Sequence, residues 1–302
     1  MKSNSISLLN PLFYDPFTNK SVVTLDSAMK QLSDVFKIPK QNIVPIQYAD
    51  PETKNFIVAP RVFILNHNGT VLKVRYNSDI SEASAVICRA QFAYNLGIPA
   101  SKPIEFRENF SVFEYITGDL MTLEDSSSHT REISAIQSKM NTVVFDNNVD
   151  DYVRAMTKNM VNCCLDYLIQ KNINAVILRK LDKLPNRLCD LKASFDHQDY
   201  GIHNLLIDET HRIRVVDEEA FGVLPLGYGI VRPIFDRHNY RVVREKGDLS
   251  YLDLFTNDQK RYFIDHLDIL RALFILRNSV RRFVVGNDVS ANMLLRESAE
   301  LK

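Results

Sequence analysis

The chain has 302 residues, 45% of them hydrophobic, and its 37 Lys and Arg balance 37 Asp and Glu. Zero formal charge argues against a nucleic-acid binder working by bulk electrostatics. No stretch reaches the roughly 18 apolar residues that a spanning helix needs.

The first ten residues carry one Lys and no apolar core segment, so no secretory leader is expected and the chain reads as a soluble cytoplasmic protein. Cys88, Cys163, Cys164 and Cys189 have neither zinc-like spacing nor the look of a disulfide framework. They read as reduced thiols.

A leading segment at about 24–37 reads as helix. From about 43 to 115 the pattern is mainly β. The 56–65 stretch is rich in Val, Ile and Phe, and His67-Asn68-Gly69-Thr70 carries the Asn-Gly hairpin signal. Residues 71–76 read as the return strand. Residues 81–96 look helical, ended by Gly97 with Pro99 two positions on. Residues 110–116 form a further β-type run. Beyond Gly118 helices dominate. Val153, Met156, Met160, Cys163 and Tyr167 recur at spacings of three and four, as do Phe263, Leu267, Leu270 and Phe274, and both sets read as core stripes. One β signal interrupts the helical half: residues 205–207 and 213–216 flank a polar turn. The expected organisation is two lobes, 1–117 and 118–302.

The most informative stretch, 195–219, reads FDHQDYGIHNLLIDETHRIRVVDEE. If 205–207 pairs with 214–216 around a turn centred between Thr210 and His211, residues whose numbers sum to 421 face each other. Asn204 then lies opposite Asp217. Two oxygen-bearing side chains at the open end of one hairpin suit a hard cation such as Mg²⁺. Asp199, five residues before Asn204, is placed to orient or deprotonate an acceptor hydroxyl.

The pattern H-Q-D-Y-G-I-H-N followed by V-V-D-E-E resembles the aminoglycoside phosphotransferase and choline kinase group of small-molecule kinases. Their motif is similar to H-G-D-x-x-x-x-N-x-L with a later strand ending in Asp. His197, Asp199, Asn204, Leu206 and Asp217 match it. The resemblance implies an α+β, two-lobed, protein-kinase-like fold, with a small β-rich N-lobe and a larger helical C-lobe whose hairpin carries the catalytic and metal residues. It implies Asp199 as catalytic base, and Asn204 and Asp217 as Mg²⁺ ligands. Val71-Leu72-Lys73-Val74-Arg75 resembles the strand bearing the phosphate-binding Lys, with Lys73 first and Arg75 the fallback. Glu82 resembles the helix acid that pairs with that Lys. Glu114, Tyr115 and Ile116 fall in the segment resembling the lobe connection, where backbone groups hold adenine. The resemblance runs from about 43 to 228.

Three departures stand out. The expected nucleotide loop near 49–56 has no glycine, so close backbone approach to phosphates is harder. Pro225-Leu226-Gly227-Tyr228-Gly229 lacks the acid the family often places after the metal-binding strand, so the catalytic loop must be supported from elsewhere. Gln198 replaces the usual small residue after His197.

The leading expectation is a Mg²⁺-dependent kinase moving the γ-phosphate of ATP or GTP to a small acceptor. Asp190, Glu218, Glu219, Asp265 and Asp268 would favour a cationic, amine-bearing one. That points to an aminoglycoside or similar antibiotic, with a choline-type amino alcohol or a sugar metabolite next. The alternative of another class is a nucleotide-binding pseudokinase. No nucleic-acid or membrane partner is expected.

Overall fold

The computed structural model describes residues 8–17, 23–49, 56–235 and 250–298. The glycine-free nucleotide loop at 50–55 lies outside them. Short helix α1 (Pro11–Tyr14) and helix α2 (Leu25–Phe36) precede strands β1 (Ile43–Ala49), β2 (Phe56–His67) and β3 (Thr70–Tyr76). Helix α3 (Ile80–Asn95), β4 (Pro103–Arg107), β5 (Phe110–Glu114) and β6 (Gly118–Leu120) follow. Then come α4 (Leu123–Ser128), α5 (Thr130–Asn141), α6 (Asn147–Gln170), α7 (Ala175–Leu181), β7 (Ala193–His197), β8 (Leu205–Asp208), β9 (Ile213–Val215) and β10 (Phe221–Pro225). Helices α8 (Val231–Phe235), α9 (Asn257–Val284) and α10 (Asp288–Glu297) complete the described elements.

The chain divides into two compact units that are not contiguous halves. One comprises Met1–Asn19, Asp119–Ile207 and Ala220–Lys302; the other Lys20–Gly118 and Asp208–Glu219. Each is described by itself.

The second unit is built on a five-stranded antiparallel sheet of order β1-β2-β3-β5-β4. The Asn-Gly signal holds: Asn68 and Gly69 take φ of 52° and 78°, the left-handed pair that a two-residue hairpin requires. Strand alternation sorts the side chains of β3. Val74 joins Phe63, Leu65 and Val112 in a core with Ala28, Leu32 and Phe36 of α2, whereas Lys73 and Arg75 alternate with it and point to the other face. Thr24 caps α2, its hydroxyl accepting from Ser27 N–H. Asp79 caps α3 by accepting from Glu82 N–H at 2.8 Å, and Gly97 (φ 71°) follows its end.

The first unit is mostly helical. Its core gathers Met160, Cys164 and Leu168 of α6 with Leu270, Leu273, Phe274 and Leu276 of α9. The expected α6 stripe is turned by one position at its centre: Cys164 is buried and Cys163 exposed. All four cysteines are free thiols. Strands β7 and β10 pair antiparallel, His197 opposite Phe221. The segment around α1 belongs to this unit because it is stitched to β10. Leu9 bridges Val223, Asn10 Nδ2 donates to Phe221 C=O at 3.2 Å, and Phe13 packs edge-on to Tyr228. No helix among the described residues is long and apolar enough to cross a membrane.

Candidate active site

Strand β7 is buried at every position and delivers the Asp199 loop. Asp196, one residue before His197, supplies the support that the sequence left unassigned. Its Oδ1 accepts from His197 N–H at 2.8 Å and its Oδ2 from Gly229 N–H at 3.0 Å. The acid therefore comes from β7 and reaches the Gly227–Gly229 turn, instead of coming from that turn. Gly229 is required there, because an added Cβ would lie 2.5 Å from Asp196 Oδ1. Burial pushes the Asp196 carboxyl up to about 6, against hydrogen bonds from His197, Gly229, Asn141 and Gln137 that pull it down. Behind the loop, Arg277 of α9 donates to Gln198 Oε1 at 3.1 Å and to Phe13 C=O at 2.9 Å. The unusual Gln198 is thus the acceptor for a buried arginine. His197 is fully buried with its ring edge-on to Phe221, centroids 4.9 Å apart.

Asp199 and Asn204 are brought together: Asn204 Nδ2 donates to the Asp199 carbonyl at 2.8 Å. The Asp199 carboxylate also has a cation that the sequence reading missed. Arg232 Nη2 lies 2.7 Å from its Oδ1, and His203 Nε2 lies 3.4 Å from the same oxygen. Burial would raise the Asp199 carboxyl. Arg232, the His203 hydrogen bond and charge, and His197 outweigh it and hold the group well below the usual carboxylate range. Arg232 is itself seated over the Phe274 ring at 5.2 Å.

The other expected residues lie in the second unit. Lys73 Nζ pairs with Glu218 Oε2 at 2.6 Å, which brings it to the neighbour of Asp217 in sequence. Arg75, two residues on along the same face, pairs with Glu219. Glu82, expected as the partner of Lys73, takes a different role. As the third residue of α3 it turns back to the helix start, accepting from Ser78 N–H at 2.6 Å and Ser78 Oγ at 2.7 Å. Its charge also acts on Arg61, Arg75 and the buried Arg89, whose guanidinium burial pulls down to about 10. Burial lowers Arg75 too, and Asp217 is the foremost charge opposing it. Glu114 ends β5, its N–H donating to Lys102 C=O at 2.9 Å, and Tyr115 and Ile116 lie beyond the strand.

The turn after β8 differs from the expected one. Asp208 N–H donates to Arg212 C=O at 3.0 Å, and His211 adopts φ 59°. This is a three-residue turn, held because Asp208 Oδ1 accepts from Thr210 and Arg212 N–H at 2.9 and 3.0 Å. The pair sum is 420, so the count that set Asn204 opposite Asp217 is one residue out. Asn204 falls in the first unit and Asp217 in the second.

Each side chain by itself offers an oxygen of the kind a hard cation takes. Asn204 spends its amide N–H on Asp199 and keeps Oδ1 for a ligand. Among the described residues no cluster of three or more His, Cys, Asp or Glu could hold a metal alone. A short oxygen set completed by phosphates is the usual Mg²⁺ arrangement.

The acids expected to attract an amine are placed or committed elsewhere. Glu218 and Glu219 are paired with Lys73 and Arg75. Helix α9 runs along β7: Tyr262 Oη accepts from Lys192 N–H at 3.1 Å before the strand, and Arg277 meets Gln198 after it. Asp190 acts on Tyr262, at the end of β7 away from Asp199. Asp265 and Asp268 precede Arg277 by about 18 and 14 Å of helix.

No family model and no curated protein matches this chain. Solved structures do. The fold is that of the small-molecule kinases. A Plasmodium vivax ethanolamine kinase superposes with TM-score 0.61 at 12% identity, covering 99% of this chain and 95% of that one. A thermostable variant of aminoglycoside phosphotransferase APH(4)-Ia, in a ternary complex with ADP and hygromycin B, gives 0.57 at 16%, covering 91% and 97%. Choline kinase LicA from Streptococcus pneumoniae gives 0.53 at 14%, covering 89% and 97%. The expected α+β architecture, an antiparallel sheet in the N-terminal region and a helical C-terminal part, is the one observed. In this kinase-like fold the chain has its H-x-D loop on β7 and its strand lysine on β3.

Proposed function

We propose that this chain is a small-molecule kinase that transfers the γ-phosphate of ATP or GTP, with Mg²⁺, to an alcohol hydroxyl. The observation that carries the reading is Asp199 tied through its carbonyl to Asn204 on one loop, within a kinase-like fold. Asp199 aligns the acceptor hydroxyl and takes its proton as the new O–P bond forms. Held low by its cations, it is a weak base, so the proton arrives late. That suits a loose transition state in which the phosphoryl group is nearly free before the acceptor bonds. Bound Mg²⁺, held by Asn204 and Asp217, would neutralise charge on the phosphates. Lys73 serves the α- and β-phosphates once they displace Glu218. The backbone of Glu114, Tyr115 and Ile116 receives the base. AMP and ADP complexes of proteins with this fold support the nucleotide.

The narrower reading is a cytoplasmic kinase for an amine-bearing acceptor: an aminoglycoside, in a resistance role, before an amino alcohol of the choline type. The names of the structures sharing the fold favour it, and the commitments of Glu218 and Glu219 oppose it. The test incubates purified protein with ATP or GTP and Mg²⁺ against amine-bearing and amine-free alcohols, with products read by mass. A phosphorylated product that disappears in Asp199→Asn supports the kinase. Nucleotide binding without any product favours the pseudokinase, and no nucleotide binding overturns both.

A further inference from the structure

Phosphoryl transfer needs a cation at the oxygens of the group in flight, besides a metal and a positioned nucleophile. In the second unit Lys73 is engaged by Glu218. In the first unit, Asp199 has a guanidinium beside it. We infer that Arg232 is a catalytic residue whose guanidinium, resting 2.7 Å from Asp199, contacts the oxygens of the phosphoryl group during transfer.

Four observations carry this. Arg232 and Asp199 belong to the same unit, so their contact is set by one compact body. The pair is partly open, the Asp199 and Arg232 side chains being 28% and 14% exposed. The supporting carboxylate Asp196, by contrast, is fully buried. The loop is already fixed by other contacts: Asp196 to His197 and Gly229, Arg277 to Gln198, and Asn204 to the Asp199 carbonyl. Arg232 touches the Asp199 carboxylate, the reacting group, and Phe274 fixes its guanidinium from one face.

The chemistry follows from that position. An acceptor oxygen in contact with Asp199 attacks the γ-phosphorus, so the phosphoryl oxygens pass within a few ångströms of the same carboxylate. The acceptor O–H bond breaks and its proton goes to Asp199. The new O–P bond forms, and the bond from phosphorus to the β,γ-bridging oxygen breaks. The electron pair leaves with the nucleoside diphosphate. Arg232 neither gives nor takes a proton. It pairs with Asp199 before the step and with the migrating charge during it, and a guanidinium's planar fork of donors can serve two oxyanions at once.

This inference rests on the kinase reading, and the experiment separates the two. Binding of whichever of ADP and GDP the wild type takes is measured with Mg²⁺, alone and with aluminium fluoride as a mimic of the phosphoryl group in transfer. The expected result is that Arg232→Gln keeps diphosphate affinity and loses 10²- to 10³-fold of the fluoride-dependent tightening, the scale of one lost transition-state donor. Arg232→Lys, which retains a charge, should recover part of it, and thermal unfolding checks that both variants fold. A purely structural residue would not shift the ratio of the two affinities. Fluoride-dependent tightening unchanged in Arg232→Gln overturns the role while leaving the kinase reading intact. So does diphosphate affinity falling as far as the mimic's in both variants. A wild type that binds no nucleoside diphosphate overturns both.

Discussion

Asp196 Oδ2 accepts the Gly229 backbone N–H at 3.0 Å, so an acid on β7 anchors the turn that leads into α8. Burial lifts this carboxyl from 3.8 to about 6 in the folded state. The folded chain therefore holds a proton there more tightly than the unfolded chain, and stability falls as pH rises from about 4 through 6. Asp196→Asn removes that dependence. The wild type's stability relative to Asp196→Asn should grow by up to about 3 kcal/mol between pH 7.5 and pH 4, measured by urea unfolding across the range. A difference constant with pH would show that Asp196 does not titrate as described.

Gly229→Ala tests the same contact from the other side. Its Cβ would meet Asp196 Oδ1 at 2.5 Å and Gln137 Nε2 at 2.6 Å. Asp196 Oδ1 cannot retreat without breaking its buried hydrogen bond from His197 N–H, so the variant should lose about 2–3 kcal/mol. Calorimetric melting at neutral pH measures it. A melting temperature matching the wild type's would place the turn elsewhere.

Asp199→Asn should lower kcat roughly 10²- to 10⁴-fold with nucleotide affinity little changed, because the carboxylate is proposed to act on the acceptor. Asp217→Ala should remove most Mg²⁺-dependent turnover and leave the melting curve in place. If Asp199→Asn abolishes nucleotide binding while turnover persists, the two roles are reversed.

Glu218→Gln releases Lys73 from its 2.6 Å ion pair. Nucleotide phosphates then meet a lysine without a competing carboxylate. Affinity for ATP or GTP should rise severalfold, because the phosphates no longer compete with a nearly buried carboxylate for the lysine. Isothermal titration reads this directly, and weaker binding would mean that Glu218 helps to hold the nucleotide.

Much of the fold was legible because local signals agreed with it. Asn68-Gly69 needs a left-handed pair and Gly97 a left-handed helix end, and the β signal at 205–207 and 213–216 falls where β8 and β9 form, whereas the buried strand β7 had no sequence signal of its own. What escaped detection was carried by long-range contact. Arg232 is remote in sequence from Asp199, and nothing around it in 225–235 marks it as a partner. Asp196 stood in view, an acid inside a hydrophobic strand, but its meaning depends on Gly229 arriving beside it. Glu82 is a helix acid near a strand lysine, a pattern that fits both a long-range pair and a local cap, and its bonds to Ser78 are of the local kind. The segment around α1 carried no signal of its own, and its contacts with β10, Tyr228 and Arg277 place it. The register of the Asp208 turn slipped by one because an Asp side chain that accepts from two backbone N–H groups favours three loop residues over two.

Lys73 and Arg75, alternate residues of one strand, hold Glu218 and Glu219, consecutive residues of the segment that follows Asp217. Each position is thus tied to a partner more than 140 residues away in sequence. Truncating Lys73 alone would strand a nearly buried carboxylate, Glu218 being 3% exposed, so the loss would mix misfolding with weaker phosphate binding. In evolutionary terms the four sites are epistatic: a charge can disappear from the strand only when its counterpart has already gone. Lys73→Ala is therefore informative about the nucleotide only in a background that carries Glu218→Gln.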